Sequence, residues 1–312
     1  MRRVWAALAM LGVFAAASCQ KKDGHDHSQE TFDYEKPPEF DRALNQSEID
    51  TMRAMKITHH VTRDEYWDLK GGVIANDRVE VWYANRKIYV LQAMAVLKQM
   101  DMMADEIQKA FGRIPEEKLV VVCAPDLKTF RTVTGLDWWH YGRIKSDTLS
   151  IQTPMTLFMR GLLHAAARRE YCRWALGHFT GGRAPQWVLW GGSSYLARER
   201  EVLREMSREY MTKELRMSVE DINRNLAEES DRIETRRAMY NAYLMMNQLV
   251  ETNGLPSVAA FILALGEEAD PDAAAQRAFS KSYADVMAQA EQWKQPEPPS
   301  TAPAAPGHDH AR

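Results

Sequence analysis

The apolar residues Ile88, Leu91, Met94, Ala95, Leu97, Ala104, Ile107 and Phe111 constrain the fold of this chain more than any other feature. That spacing places them on one face of a helix with 3.6 residues per turn, so residues 88–111 predict a long amphipathic helix ending near Gly112. Such a helix needs a surface to cover, and its sequence neighbours supply one. Residues 78–84 (Arg-Val-Glu-Val-Trp-Tyr-Ala) alternate as a half-buried strand, and residues 119–123 form a continuous apolar strand stopped by Pro125. Residues 126–133 predict a short helix, and residues 143–152 a hairpin turning at Lys145-Ser146-Asp147. Upstream, Thr62-Arg63-Asp64-Glu65 has the form of a capping box and predicts another short helix. Thr153-Pro154 then sets proline at the first position of a helix, and the chain reads almost wholly helical to Trp293. The expected fold is α+β: a small N-terminal sheet with one long helix over residues 45–153, then a mostly helical half over 154–294.

The two ends read differently. Arg2 and Arg3 precede an apolar run from Val4 to Phe14 that is too short to span a bilayer, and small residues lead to Cys19. Residues 1–19 resemble a bacterial lipoprotein signal, which implies lipidation of Cys19 and a lipid bilayer as partner; an ordinary secretory signal cut near Ala17 is the alternative. Gln20 after the cysteine resembles the outer-membrane sorting signal, so in a cell with two membranes the protein is expected at the outer membrane, facing the periplasm. Residues 20–44 are polar and broken by Pro37-Pro38, and they read as a disordered tether with a reach on the order of 30 Å. Residues 295–312 form a Pro/Ala-rich tail, also expected to be disordered. Both ends carry Gly-His-Asp-His, and His25, His27, His308 and His310 make up four of the nine histidines. Paired imidazoles beside a carboxylate offer a weak site for a divalent transition metal.

The balance of 40 basic against 43 acidic residues, a net charge of −3, argues against nucleic acid as a partner. Cys123 and Cys172 remain after Cys19, and the sequence leaves open whether they are bridged or are two buried thiols.

Two stretches carry the clearest chemical pattern. The first is Arg160-Gly161-Leu162-Leu163-His164, and the second is Pro185-Gln186-Trp187-Val188-Leu189-Trp190-Gly191-Gly192-Ser193-Ser194-Tyr195. The second stretch resembles the Pro-x-Trp-Leu-x-Glu-Gly-x-Ala-x-Tyr segment of gluzincin-type zinc metallopeptidases. The first then occupies the place of their His-Glu-x-x-His helix. Residues 78–133, 236–254 and 273–293 resemble, in order, the rest of a peptidase-MA-like domain, so the likeness covers about residues 75–294 and implies a thermolysin-like arrangement. In that family two histidines at i and i+4 reach one ion, the glutamate beside the first takes a proton from zinc-bound water, and a later glutamate is the third ligand.

On this alignment Arg160 stands for the first ligand, Gly161 for the base, His164 for the second ligand and Trp190 for the third. A guanidinium has no lone pair for a metal, glycine accepts no proton, and indole only donates. A site reduced to one imidazole holds no catalytic zinc. Arg160 is expected to stack on Trp190 by a cation–π contact. The resemblance therefore implies a non-catalytic, envelope-anchored peptidase-like protein, with no catalytic residue and no cofactor, that binds a peptide or an envelope protein. Two alternatives stay open: a hydrolase with relocated residues, zinc-dependent or metal-free, and metal capture through the two tails.

Other constellations carry less. His140, His178 and Cys172 are the groups from which a metal site around His164 would be rebuilt, but Cys172 lies about 80° around the helix from His164. Tyr141-Gly-Arg-Ile-Lys145 lacks the glycine-rich turn of a reductase. Gly192-Ser193-Ser194 is not a nucleophile elbow. Residues 198–216 alternate in charge and read as a solvated helix face.

Overall fold

A computed structural model describes residues 71–84, 87–208 and 215–294. The signal at residues 1–19 with Cys19, the tether, the capping box at Thr62, both Gly-His-Asp-His tetrapeptides and the tail at 295–312 lie outside the described residues.

The architecture is α+β, a five-stranded mixed sheet followed by a mostly helical remainder. Strands β1 (Gly71–Ala75) and β2 (Val79–Ala84) form an antiparallel pair. The long helix α1 (Lys87–Phe111) then crosses over to β3 (Leu119–Cys123), which runs parallel to β2. Helix α2 (Leu127–Thr134) starts where Asp126 accepts a hydrogen bond from the Thr129 amide and stops at Gly135 in the left-handed region. The hairpin β4 (Gly142–Lys145) and β5 (Thr148–Ile151) closes the order β1-β2-β3-β5-β4, with β5 parallel to β3 and β4 on the edge.

The strand period is visible in the burial. Val79, Val81 and Tyr83, Leu119, Val121 and Cys123, and Leu149 and Ile151 all face one core. Helix α1 covers that face with Ala93, Val96, Met100, Met103, Ala104, Ile107 and Phe111. The buried stripe is thus rotated from the expected one at its start: Leu91 is exposed, and Gln92 turns inward to meet the Met155 sulfur.

Strand β1 has no counterpart among the expected elements. Its Gly71-Gly72 start hides the strand pattern, yet the glycine has a packing reason. A Cβ at Gly72 would lie 2.6 Å from the Tyr83 ring on β2.

The helical half begins with α3 (Pro154–Met159) and α4 (Leu163–Thr180), followed by α5 (Gln186–Leu196) and α6 (Arg200–Met206). Helix α7 (Val219–Glu228) and the long α8 (Arg232–Asn253) come next, capped by Ser218 and Asp231. Helices α9 (Leu255–Glu267), α10 (Pro271–Phe279) and α11 (Tyr283–Ala290) complete the fold. Helix α4 packs on α1 and α5, and α5 packs most extensively on α8. The close α5–α8 approach requires Gly191, where a Cβ would sit 2.3 Å from the Ala242 carbonyl oxygen. Sheet and helices share one hydrophobic core that contains residues of both halves. Among the described residues no single helix is long and apolar enough to cross a membrane, and Cys123 and Cys172 are buried free thiols.

Candidate functional site

Helix α4 is apolar along most of its inner face, and for that reason its charged residues stand out once it is buried. Arg169 and Glu170 are 2% and 0% exposed. The two follow each other in sequence, and Arg173 comes one turn after Arg169, so all three point toward the start of α5. There Trp190 is covered by two guanidinium groups, Arg169 at 5.0 Å and Arg173 at 4.4 Å from the ring centre. Glu170 bridges them. Its Oε1 accepts from Arg169 Nη2 at 3.2 Å, and its Oε2 pairs with Arg173 Nη2 at 3.1 Å.

The network extends into α6. Glu199, 1% exposed, pairs with Arg169 Nη1 at 3.5 Å and accepts a hydrogen bond from the Ser194 hydroxyl at 3.0 Å. Residues 198–216 are therefore not one solvated face; the first carboxylate of that run is a core group. Burial raises the Glu199 pKa. Burial also opposes the charge on Arg169, but the carboxylates of Glu199 and Glu170 outweigh it and hold that guanidinium firmly protonated. Arg169 further stacks on Tyr141 at 4.0 Å, whose hydroxyl burial drives far above its ordinary range.

A second pair closes the site from the hairpin side. His140 is stacked on Trp139, and its Nε2 lies 3.4 Å from Glu229 Oε2. Glu229 occupies the left-handed region at φ 47°, as the C-cap of α7, with its carboxylate turned inward. Burial lowers the His140 pKa to about 4 and raises that of Glu229. Both shifts favour the neutral forms. The His140 Nδ1–H donates to the Asp137 carbonyl at 3.2 Å.

The site has two compartments. A small cavity of about 20 Å³ lies between Tyr141, Gly142, Arg169, Glu170 and Arg236, too small for anything larger than a water molecule. An open groove of about 630 Å³ is lined by Ile144, Ser146, Arg173, Trp174, His178 and Leu226. Trp190 and Glu229 line both compartments. The hairpin beside the groove is held to α4 through Asp147, which accepts from Trp174 Nε1 at 3.2 Å and meets His178 Nε2 at 2.7 Å; His178 Nδ1 lies 3.3 Å from Glu117.

The sequence-derived site residues separate. Arg160 does not share a helix with His164: it caps α3, Gly161 breaks the chain at φ 66°, and α4 begins only at Leu163. The Arg160 cation lies over Trp138 at 5.2 Å, donating to the Trp138 carbonyl at 3.1 Å, instead of over Trp190. His164 is exposed on the first turn of α4. His140 and His178 are engaged as described, and Cys172 is buried with its thiol pKa pushed well up by desolvation, so these groups do not gather around His164. Ser193 and Ser194 donate to the Trp190 carbonyl and to Glu199 within α5, in keeping with a structural role. Of the expected positions, Trp190 lies against the buried guanidiniums of Arg169 and Arg173. The i, i+4 pair that meets it is Arg169 and Arg173, nine residues further on than the expected pair.

The donor set does not fit zinc. Neither guanidinium over Trp190 has a lone pair and the indole nitrogen only donates, so of these four groups around the ring only Glu170 offers oxygens. Among the described residues no three His, Cys, Asp or Glu side chains come together as a metal would require.

In comparisons with known proteins, no family model matches this chain and no curated protein is significantly similar to it.

Proposed function

We propose that this protein is a non-catalytic relative of the peptidase-MA-like domains, a lipid-anchored envelope protein that binds extended peptides in the groove beside β4. One observation carries the reading. Arg169-Glu170-Tyr171-Cys172-Arg173 has the spacing of His-Glu-x-x-His, and its two outer residues converge on Trp190 from the neighbouring helix. Two imidazoles and a carboxylate in those three places would make a zinc site; two guanidiniums and an indole make a fixed cationic cluster. The base position keeps its carboxylate in Glu170, which here neutralises arginines instead of serving a metal-bound water. Anchoring at Cys19 and an outer-membrane location in a two-membrane cell are part of the same proposal and rest on the N-terminal pattern.

The groove supplies what peptide binding needs without a metal. In the β4–β5 hairpin, Lys145 faces Thr148, Arg143 faces Ser150, and the Gln152 amide donates to the Tyr141 carbonyl. The odd-numbered residues of β4 therefore use their backbone groups inside the sheet, and those of Gly142 and Ile144 point out from the edge. Ile144 lines the groove. An extended segment added there gains backbone hydrogen bonds, with pockets for alternate side chains.

The test pairs turnover with capture. Incubated with casein and zinc, the full chain should release no peptides, while a fluorescent pool of random octapeptides should yield bound members. Ile144→Pro removes the outward amide donor at an edge position that tolerates proline, and it should abolish that binding. Hydrolysis that a chelator stops would overturn the proposal.

A further inference from the structure

Gly177 is a glycine that the fold itself does not explain. It lies inside α4, about one turn before the Gly181 cap, where glycine is a poorer helix former than any residue but proline. The other glycines of the helical half have reasons within the chain. Gly191, Gly192 and Gly266 face atoms that a Cβ would meet within 3 Å, and Gly161, Gly181, Gly182 and Gly254 adopt positive φ. Gly177 has neither reason: its backbone is ordinary helix, and a Cβ there would meet nothing within 4 Å. The space it leaves belongs to the groove, which Gly177 lines together with Ile144 and Leu189.

That space is held in place by polar bonds. Asp147, at the turn of the β4–β5 hairpin, accepts from Trp174 Nε1 at 3.2 Å and meets His178 Nε2 at 2.7 Å. These two residues bracket Gly177 along α4, so the hairpin is tied to the helix beside the gap, and the tie fixes how closely the two approach. Ile144 and Leu189, which line the same groove, are only partly covered by the core. Their remaining apolar surface stays in water until something fills the gap, and filling it is favourable.

The neighbouring sheet edge specifies the occupant. The outward backbone groups of Ile144 suit an extended chain, and the side chains of such a strand alternate between its two faces. Resting on the peptide-binding reading above, we infer that Gly177 is the floor of a specificity pocket: an extended peptide pairs with β4 at Ile144 and seats one large apolar side chain over Gly177, against Ile144 and Leu189. The ligand class is therefore extended or unfolded segments that expose a leucine, methionine or aromatic residue. A small side chain leaves the pocket empty and its apolar lining wet. A methyl group on the helix would fill part of the pocket in advance, which is the physical reason for a glycine here.

The test presents the full chain with a fluorescent pool of random octapeptides, and retained members are remade with each large apolar residue changed in turn to alanine. For the wild type one position should dominate, alanine there weakening binding by about tenfold or more, as burial of a leucine-sized side chain implies. Gly177→Ala should weaken the parent peptides by about fivefold to a hundredfold, the effect of overfilling a packed space, and leave their alanine forms unchanged. The same variant should melt about 2–4 °C higher, because alanine favours the helix and its methyl meets nothing in the chain. Tighter folding with weaker binding is a combination that a purely structural glycine does not give. A lower Tm would show that the chain itself needs the glycine, and would overturn the inference. Equal affinity of wild type and Gly177→Ala for peptides that Ile144→Pro loses would also overturn it and leave the groove reading standing. Retention of no peptide by the wild type would overturn both, as would a groove filled by a second copy, seen as a dimer that Gly177→Ala loosens.

Discussion

Arg169 is buried on all sides, and taking a guanidinium out of water costs several kcal/mol. The cost is offset by two carboxylates, two aromatic faces and a hydroxyl relayed through Glu199. Removing one partner from such a network is more damaging than never having built it, because the remaining charges stay buried. Arg169→Met should therefore lower unfolding stability by about 3–5 kcal/mol in urea denaturation. Adding Glu199→Gln should restore part of that loss, since it removes the stranded carboxylate; additive losses would contradict the coupling. His140 makes a separate prediction about pH. Its folded pKa is about 4, against about 6.5 in an unfolded chain. Between those values the unfolded state holds the proton and the folded state does not, so stability falls as pH drops from about 6.5 toward 4 and is intact above. The loss is at most roughly 3 kcal/mol. Glu229, whose pKa is raised, works in the opposite sense and loses stability as pH rises through its own range. His140→Gln should flatten the acid limb of stability against pH. Parallel curves for variant and wild type would show that His140 does not titrate as described.

At the scale of elements, the sequence carried most of the fold, while the structure separates the expected site positions. Strand β3, helix α2 and the β4–β5 hairpin announce themselves through local chemistry: a run of valines, an Asp–Gly capped octet, a turn at Ser146-Asp147. Strand β1 does not, because Gly72 serves the packing of Tyr83 instead of strand propensity. The choice of Arg160 and His164 followed an i, i+4 spacing, and spacing alone does not say where a helix begins. Gly161 at φ 66° sets that boundary. Arg169, Glu170 and Arg173 have the same spacing well inside the helix, yet in sequence Arg168-Arg169-Glu170 looks like an ordinary exposed charge run. What marks it is its setting between Leu163, Ala166, Ala167, Tyr171, Cys172 and Trp174, all buried. Glu199 was less legible still, hidden at the head of an alternating charge series. Gly191 lets α5 lie against the Ala242 carbonyl of α8, and Gly192 faces the Leu176 side chain on α4.

At the scale of the molecule, one core joins the sheet to the helical half, and the charge network sits where they meet. A metal ion in such a place would tie α4 to α5 through its ligands; here the tie is electrostatic, made by guanidiniums, a tryptophan face and Glu170. On the proposed reading, that exchange removes hydrolysis while keeping a groove and a sheet edge. The measurement that bears on it most directly is zinc content. The full chain, with His25, His27, His308 and His310 all replaced by alanine, is saturated with zinc, desalted and assayed by elemental analysis. If arginines occupy the ligand positions, the folded protein retains no zinc. One tightly held zinc per chain would mean that lone-pair donors gather in the folded domain after all, and the non-catalytic reading would fall.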